Sequence, residues 1–141
     1  MPTLTRWFLR AGLLYLVAGL GAMAAVAAAA AGWLGPGWLA WRPTALHLLT
    51  VGWLTQLIWG VGFWMFPIAS RERPRGREAW LAAAFVLLNA GLLMRVAVEP
   101  GLRGAPWAGP ALVASALAQW AAAALAAGAL WPRVRAVAPG R

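Results

Sequence analysis

The sequence predicts an all-α integral membrane protein, a four transmembrane helix bundle built as a single membrane domain over residues 1–141, with both termini cytoplasmic. Three observations predict it. Hydrophobic residues make up 63% of the chain against 11% charged, a balance far outside the soluble globular range. The apolar residues fall into four runs long enough to cross a roughly 30 Å hydrocarbon layer at about 1.5 Å per residue. The charge, +9 net, is carried by twelve arginines with no lysine and is concentrated between those runs. Arginines placed this way read as topology signals and headgroup contacts, so no nucleic-acid partner is expected. Cysteine is absent, which removes disulfides, thiolate metal sites and iron–sulfur clusters from consideration.

Residues 1–10 form a basic amphipathic leader with Arg6, Arg10, Trp7 and Phe8 at a membrane surface. The first helix is expected over 11–34, with Gly12 and Gly19 on a small-residue face that admits a close neighbour. GPGWLAWRP, residues 35–43, is a Gly/Pro turn carrying the interfacial Trp38 and Trp41. Pro43 suits the first turn of the second helix, expected over 44–68, because its missing N–H has no partner there anyway. Residues 70–78, SRERPRGRE, separate it from a third helix over 79–98, and EPGLRGAP leads to a fourth over 108–131, stopped by Pro132. Four crossings bring both termini to one side. That side holds Arg6, Arg10, Arg71, Arg73, Arg75, Arg77, Arg133, Arg135 and Arg141, and the other only Arg42, Arg95 and Arg103. The positive-inside rule makes the richer side cytoplasmic and the chain a multi-pass protein of the cell inner (plasma) membrane.

Polar groups inside the bilayer are costly unless paired, so each is a candidate for function or for helix association. Gln56, Asn89 and Gln119 lie near mid-membrane and read as interhelical hydrogen-bonding groups. Gly52, Gln56 and Gly60, spaced four apart, read as one close-contact face; His47, Thr50, Val51, Leu54 and Ile58 follow the i, i+3, i+4 pattern of another. His47 is the chain's one histidine and sits one turn inside the membrane. It reads either as a helix-end histidine bonded to a carbonyl or water, or as an axial ligand to haem iron. Haem needs an apolar slot and cations at the water edge for its propionates. Leu48, Leu49, Val51 and Trp53 lie below His47, with Thr50 on its face, and Arg42, Arg95 and Arg103 lie at the interface above. Pairing with Glu99, four residues on, is the structural alternative for Arg95.

Residues 42–67, RPTALHLLTVGWLTQLIWGVGFWMFP, resemble the second transmembrane helix of the catalytic subunit of haem-copper oxidases and nitric oxide reductases, and that helix in small relatives of the superfamily. The resemblance rests on the outer-end His47 followed by Gly52, Trp53 and Gly60, and it does not extend to the fourth helix. It implies that His47 is the metal ligand, an axial ligand of a low-spin haem b. The family's other haem and copper ligands are histidines on later helices, which this chain lacks, so oxygen or nitric oxide reduction by the chain alone is not expected. The expectation is a membrane b-type haem protein serving electron transfer or gas-ligand binding. A sixth ligand could come from His47 of a second copy in a C2 homodimer, from Met94 near the same depth, or be left open. The competing expectation is a cofactor-free accessory or assembly subunit of a respiratory membrane complex. Mid-membrane polar residues are too sparse for a transport path, and no nucleophile–base pair or phosphate loop is present.

Overall fold

The computed structural model describes residues 1–67 and 76–134. It contains α1 (Thr3–Ala30), a 3-10 turn (Pro36–Trp41), α2 (Arg42–His47), a π-helical segment (Leu48–Thr55), α3 (Gln56–Met65), α4 (Glu78–Val98), α5 (Ala108–Leu130) and a closing 3-10 turn (Trp131–Arg133). The turn, α2, the π segment and α3 run on as one rod, so the chain has four helices long and apolar enough to cross a membrane: Thr3–Ala30, Pro36–Met65, Glu78–Val98 and Ala108–Arg133. The fold is an all-helical membrane-type bundle. Arg71, Arg73, Arg75, Arg135 and Arg141, on which much of the orientation argument rests, lie outside the described residues, as does the expected helix end at 68.

Helix boundaries differ from the sequence expectation where local chemistry is stronger than hydropathy. The leader is not separate: α1 begins at Thr3, directly after Pro2, and Arg6 donates to the Thr3 hydroxyl at 3.2 Å. It ends at Ala30 rather than 34 because Gly32 takes φ +79°, letting the Trp33 N–H reach the Ala28 carbonyl at 2.9 Å. That is a Schellman closure, which satisfies the last carbonyls of the helix. α3 ends at Met65 because Pro67 pushes Phe66 into extended backbone, ψ 148°.

α1 lies along the second rod and α4 along α5, with small residues at both seams. A Cβ on Gly12 would stand 3.3 Å from the Trp53 carbonyl oxygen, and one on Gly91 2.9 Å from the Ser115 carbonyl oxygen. These approaches give van der Waals contact in lipid, where helices gain little from hydrophobic burial. The core is densest away from His47, where Phe8 packs edge-on against Phe85 (centroids 5.0 Å) and Trp59 (6.3 Å) beside Phe63, Leu81 and Leu88. Arg133 closes that end. Only 3% exposed, it donates from Nε to the Pro67 carbonyl (3.0 Å) and from Nη2 to that of Phe66 (2.8 Å), its guanidinium 5.2 Å from the Phe63 ring centroid. A residue that reads in sequence as a topology charge thus ties α5 to the carbonyls just beyond α3.

Candidate functional site

The side chains around His47 are placed by an unusual helix. From Thr44 to Gly60 the buried positions other than Ala45 recur every fourth residue, at Thr44, Leu48, Gly52, Gln56 and Gly60, while Leu46, Thr50, Leu54 and Ile58 face outward. In a plain α-helix, residues four apart drift by about 40° per step, so a row this long would wind off the face. The wider i→i+5 turns of the π segment correct the drift. Two threonines accompany the distortion: Thr50 Oγ1 donates to the Leu46 carbonyl at 2.8 Å and Thr55 Oγ1 to the Thr50 carbonyl at 3.0 Å. Hydroxyls bonded back to the preceding turn are known to bend helices. The Gly52–Gln56–Gly60 face expected from sequence is present. The expected face of His47, Thr50, Val51, Leu54 and Ile58 is split, because Val51 turns partly inward against the core.

His47 is half-buried at the edge of the inward row. Its Nδ1 lies 2.9 Å from the Pro43 carbonyl oxygen. A carbonyl only accepts, so Nδ1 carries a proton, and in the neutral imidazole Nε2 is the nitrogen with the lone pair. The carbonyl bond of the first sequence reading is thus present.

One turn nearer the membrane surface, Thr44 ties α2 to the far end of α4. Thr44 Oγ1 donates to Glu99 Oε2 at 2.9 Å, and Arg95 Nη1 (3.1 Å) and Arg103 Nη2 (2.8 Å) both donate to Glu99 Oε1. Glu99 is 4% exposed and has its two oxygens occupied. Burial alone would raise its carboxyl, but the bonds from Thr44 and Arg103 and the positive field of Arg95, joined by that of His47 when its imidazole is protonated, outweigh that and hold it below the usual carboxylate range. The folded-state value is depressed, so ionised Glu99 contributes stability above the unfolded value, near 4.5, that is lost as pH falls through the folded one. Thermal unfolding between pH 7 and 3 should show a steep acid limb in the wild type. The limb should be flatter in Glu99→Gln, which lacks this carboxylate; equal slopes would remove Glu99 from the account.

The other residues singled out by sequence are dispersed. Arg95 and Arg103 meet on Glu99. Arg42 precedes His47 by five residues, about 140° around the helix, and projects to the exposed side. Met94 lies on the outward side of α4 with Leu93. Trp53 is half-buried within the π segment, its carbonyl against α1, and the Thr50 hydroxyl is engaged by Leu46. Among the described residues no group of three or more His, Cys, Asp or Glu is placed to hold a metal ion.

A second polar knot lies near mid-membrane. Asn89 Oδ1 accepts from the Tyr15 hydroxyl (2.9 Å) and from Gln56 Nε2 (3.2 Å), while Asn89 Nδ2 donates to Gln56 Oε1 (3.4 Å) and to the Phe85 carbonyl (2.7 Å). This joins α1, α3 and α4. Close by, Gln119 donates to Ser115 Oγ (3.0 Å), which donates to the Gly91 carbonyl (2.7 Å), joining α5 to α4. Sequence reasoning identified the three amides, Gln56, Asn89 and Gln119, but missed Tyr15 and Thr44. The signal for Tyr15 was available: it is the chain's one tyrosine, within an apolar span where a phenol needs a partner. No protein-family model, curated protein or solved structure matches the chain.

Proposed function

We propose that the chain is a membrane-embedded b-type haem protein in which His47 is an axial ligand and a homodimer completes the site. The supporting observation is the Pro43 carbonyl on Nδ1, which makes Nε2 the ligating nitrogen of the neutral ring; a hydrogen bond at the non-ligating nitrogen is the usual way a ligating imidazole is oriented and made more basic. Haem held there would supply one-electron redox chemistry or a gas-binding iron. The donor set fits half of such a site. His47 is the only histidine, and a two-fold axis along the membrane normal would bring His47 of a second copy to the same depth. Thr44, held by Glu99, fixes the turn that carries His47. Arg103, with its side chain 57% exposed and one N–H on Glu99, has donors left for a propionate. The arginine distribution supports cytoplasmic termini in the plasma membrane, with His47 at the opposite face.

Absorption spectroscopy tests this. Protein expressed with added haem precursor should show a Soret band and, with dithionite, sharp α and β bands, all lost in His47→Ala. A wild-type preparation without a Soret band, or a His47→Ala spectrum equal to it, defeats the proposal.

One observation favours a second reading, a cofactor-free accessory subunit of a respiratory membrane complex. Trp120 lies midway along α5 yet is 71% exposed, where its indole N–H faces hydrocarbon away from the boundary that tryptophans prefer. A helix of a larger partner would cover it. That reading expects co-purification with larger membrane subunits and full assembly in His47→Ala.

A further inference from the structure

At the His47 end, a groove of about 440 Å³ runs between the 3-10 turn and the far end of α4. Gly37, Trp41, Val96, Ala97, Pro100 and Gly101 line it. Arg42 directly follows Trp41 and Arg103 follows Gly101 by two positions, so both arginines adjoin lining residues along the chain. Both are exposed, and no carboxylate among the described residues pairs with Arg42. We propose that this groove binds one anionic phospholipid, its phosphate between Arg42 and Arg103 and its glycerol backbone on Trp41 and Pro100.

Charge, depth and shape support this occupant. Arg42, Arg95 and Arg103 face a single carboxylate, Glu99, which is buried and already satisfied, so this end keeps two positive charges in excess. Trp41 stacks obliquely on Trp38 with centroids 5.7 Å apart, and tryptophans of this kind sit at headgroup level, the depth of lipid phosphates. Arginines at a membrane interface attract anionic headgroups over distances up to about a Debye length. Below the groove, Ala97, Leu93, Ala90 and Val86 form an outward row on α4 that leads into the hydrocarbon layer. An acyl chain would lie along that row, which distinguishes a phospholipid from soluble phosphate. The site shares Arg103 with the haem proposal, whereas Arg42, about 140° around the helix from His47, belongs to the lipid site alone.

The test uses haem-free full-length protein in detergent, with bound lipid counted by native mass spectrometry after exchange. Wild type should retain one phosphatidylglycerol per protomer, in preference to phosphatidylcholine, and glycerol phosphate at millimolar concentration should fail to displace it. Arg42→Gln should weaken retention several-fold and Arg42→Gln/Arg103→Gln at least tenfold, with helix content by circular dichroism as the folding control. If the double variant loses helix content, the single Arg42→Gln variant decides, since it touches no hydrogen bond of the Glu99 knot. Equal retention of phosphatidylcholine, unchanged retention in Arg42→Gln, or displacement by glycerol phosphate would each overturn the assignment. No haem is present, so the result stands apart from the Soret test.

Discussion

Replacing Asn89 by leucine is expected to destabilise the bundle by about 2–4 kcal/mol, from interhelical bonds worth roughly 0.6–2 kcal/mol each and the cost of leaving buried partners unsatisfied. The magnitude follows from geometry. Asn89 is the one side chain that Tyr15 and Gln56 share, so its loss strands the phenol of α1 and the amide of α3. An apolar substitution of all three members should therefore be milder than of Asn89 alone. Reversible unfolding in mixed micelles, comparing Asn89→Leu with Asn89→Leu/Gln56→Leu/Tyr15→Phe, measures both. If the triple variant is less stable than the single one, the knot is not what couples the three helices.

Gly52→Ala is expected to cost about 2–3 kcal/mol, the upper part of the range for overpacking. The added Cβ would stand 2.7 Å from Tyr15 Cγ, 2.8 Å from Tyr15 Cβ and 2.9 Å from Leu92 Cδ2. Tyr15 Cγ and Cβ lie at the root of a side chain whose hydroxyl is already committed to Asn89, so the ring has no free direction in which to yield. Gly19 is the contrast: its near contacts include the branched end of Leu49, which can turn away. Gly21, with nothing within 4 Å, is the control, and Gly21→Ala should be neutral or stabilising by up to about 1 kcal/mol through helix propensity. The same unfolding assay ranks the variants. A neutral Gly52→Ala would mean that α1 and the second rod are not held at this distance.

Hydropathy made the four crossings legible because a membrane span needs only length and apolarity, and both are sums over many residues. Helix ends depended on single residues: Gly32 and Pro67 carried clear signals that a hydropathy window averages away. The amide faces were legible as well, since Gln56 and Asn89 have few acceptable environments in lipid. The Arg95–Glu99 pair was legible from its spacing of four, but the burial of Glu99 and its bond to Thr44 were not. A glutamate beside Pro100 in an arginine-bearing turn resembles a solvated loop charge, and only the packing of α2 against α4 shows that Thr44 reaches it. Arg133 was obscure for the same reason, because its partners are backbone carbonyls more than sixty residues away. The π segment left no local signature beyond its back-bonding threonines, so a helical wheel drawn at a constant pitch misplaced Val51.

The π segment also makes the second rod a counting device. Thr44 reaches Glu99 at one level and Gln56 reaches Asn89 at another, and the number of residues between them sets the angle at which the two connections leave the rod. Inserting one residue within 48–55 would swing one connection by about 100° relative to the other, whereas removing one would let the wide turns relax to ordinary α-helix and nearly keep the register. Substitutions in that stretch change what the rod touches, whereas a one-residue insertion would change which way the histidine faces. The orientation of His47 is thus written in the length of the segment beside it as much as in the side chains around it.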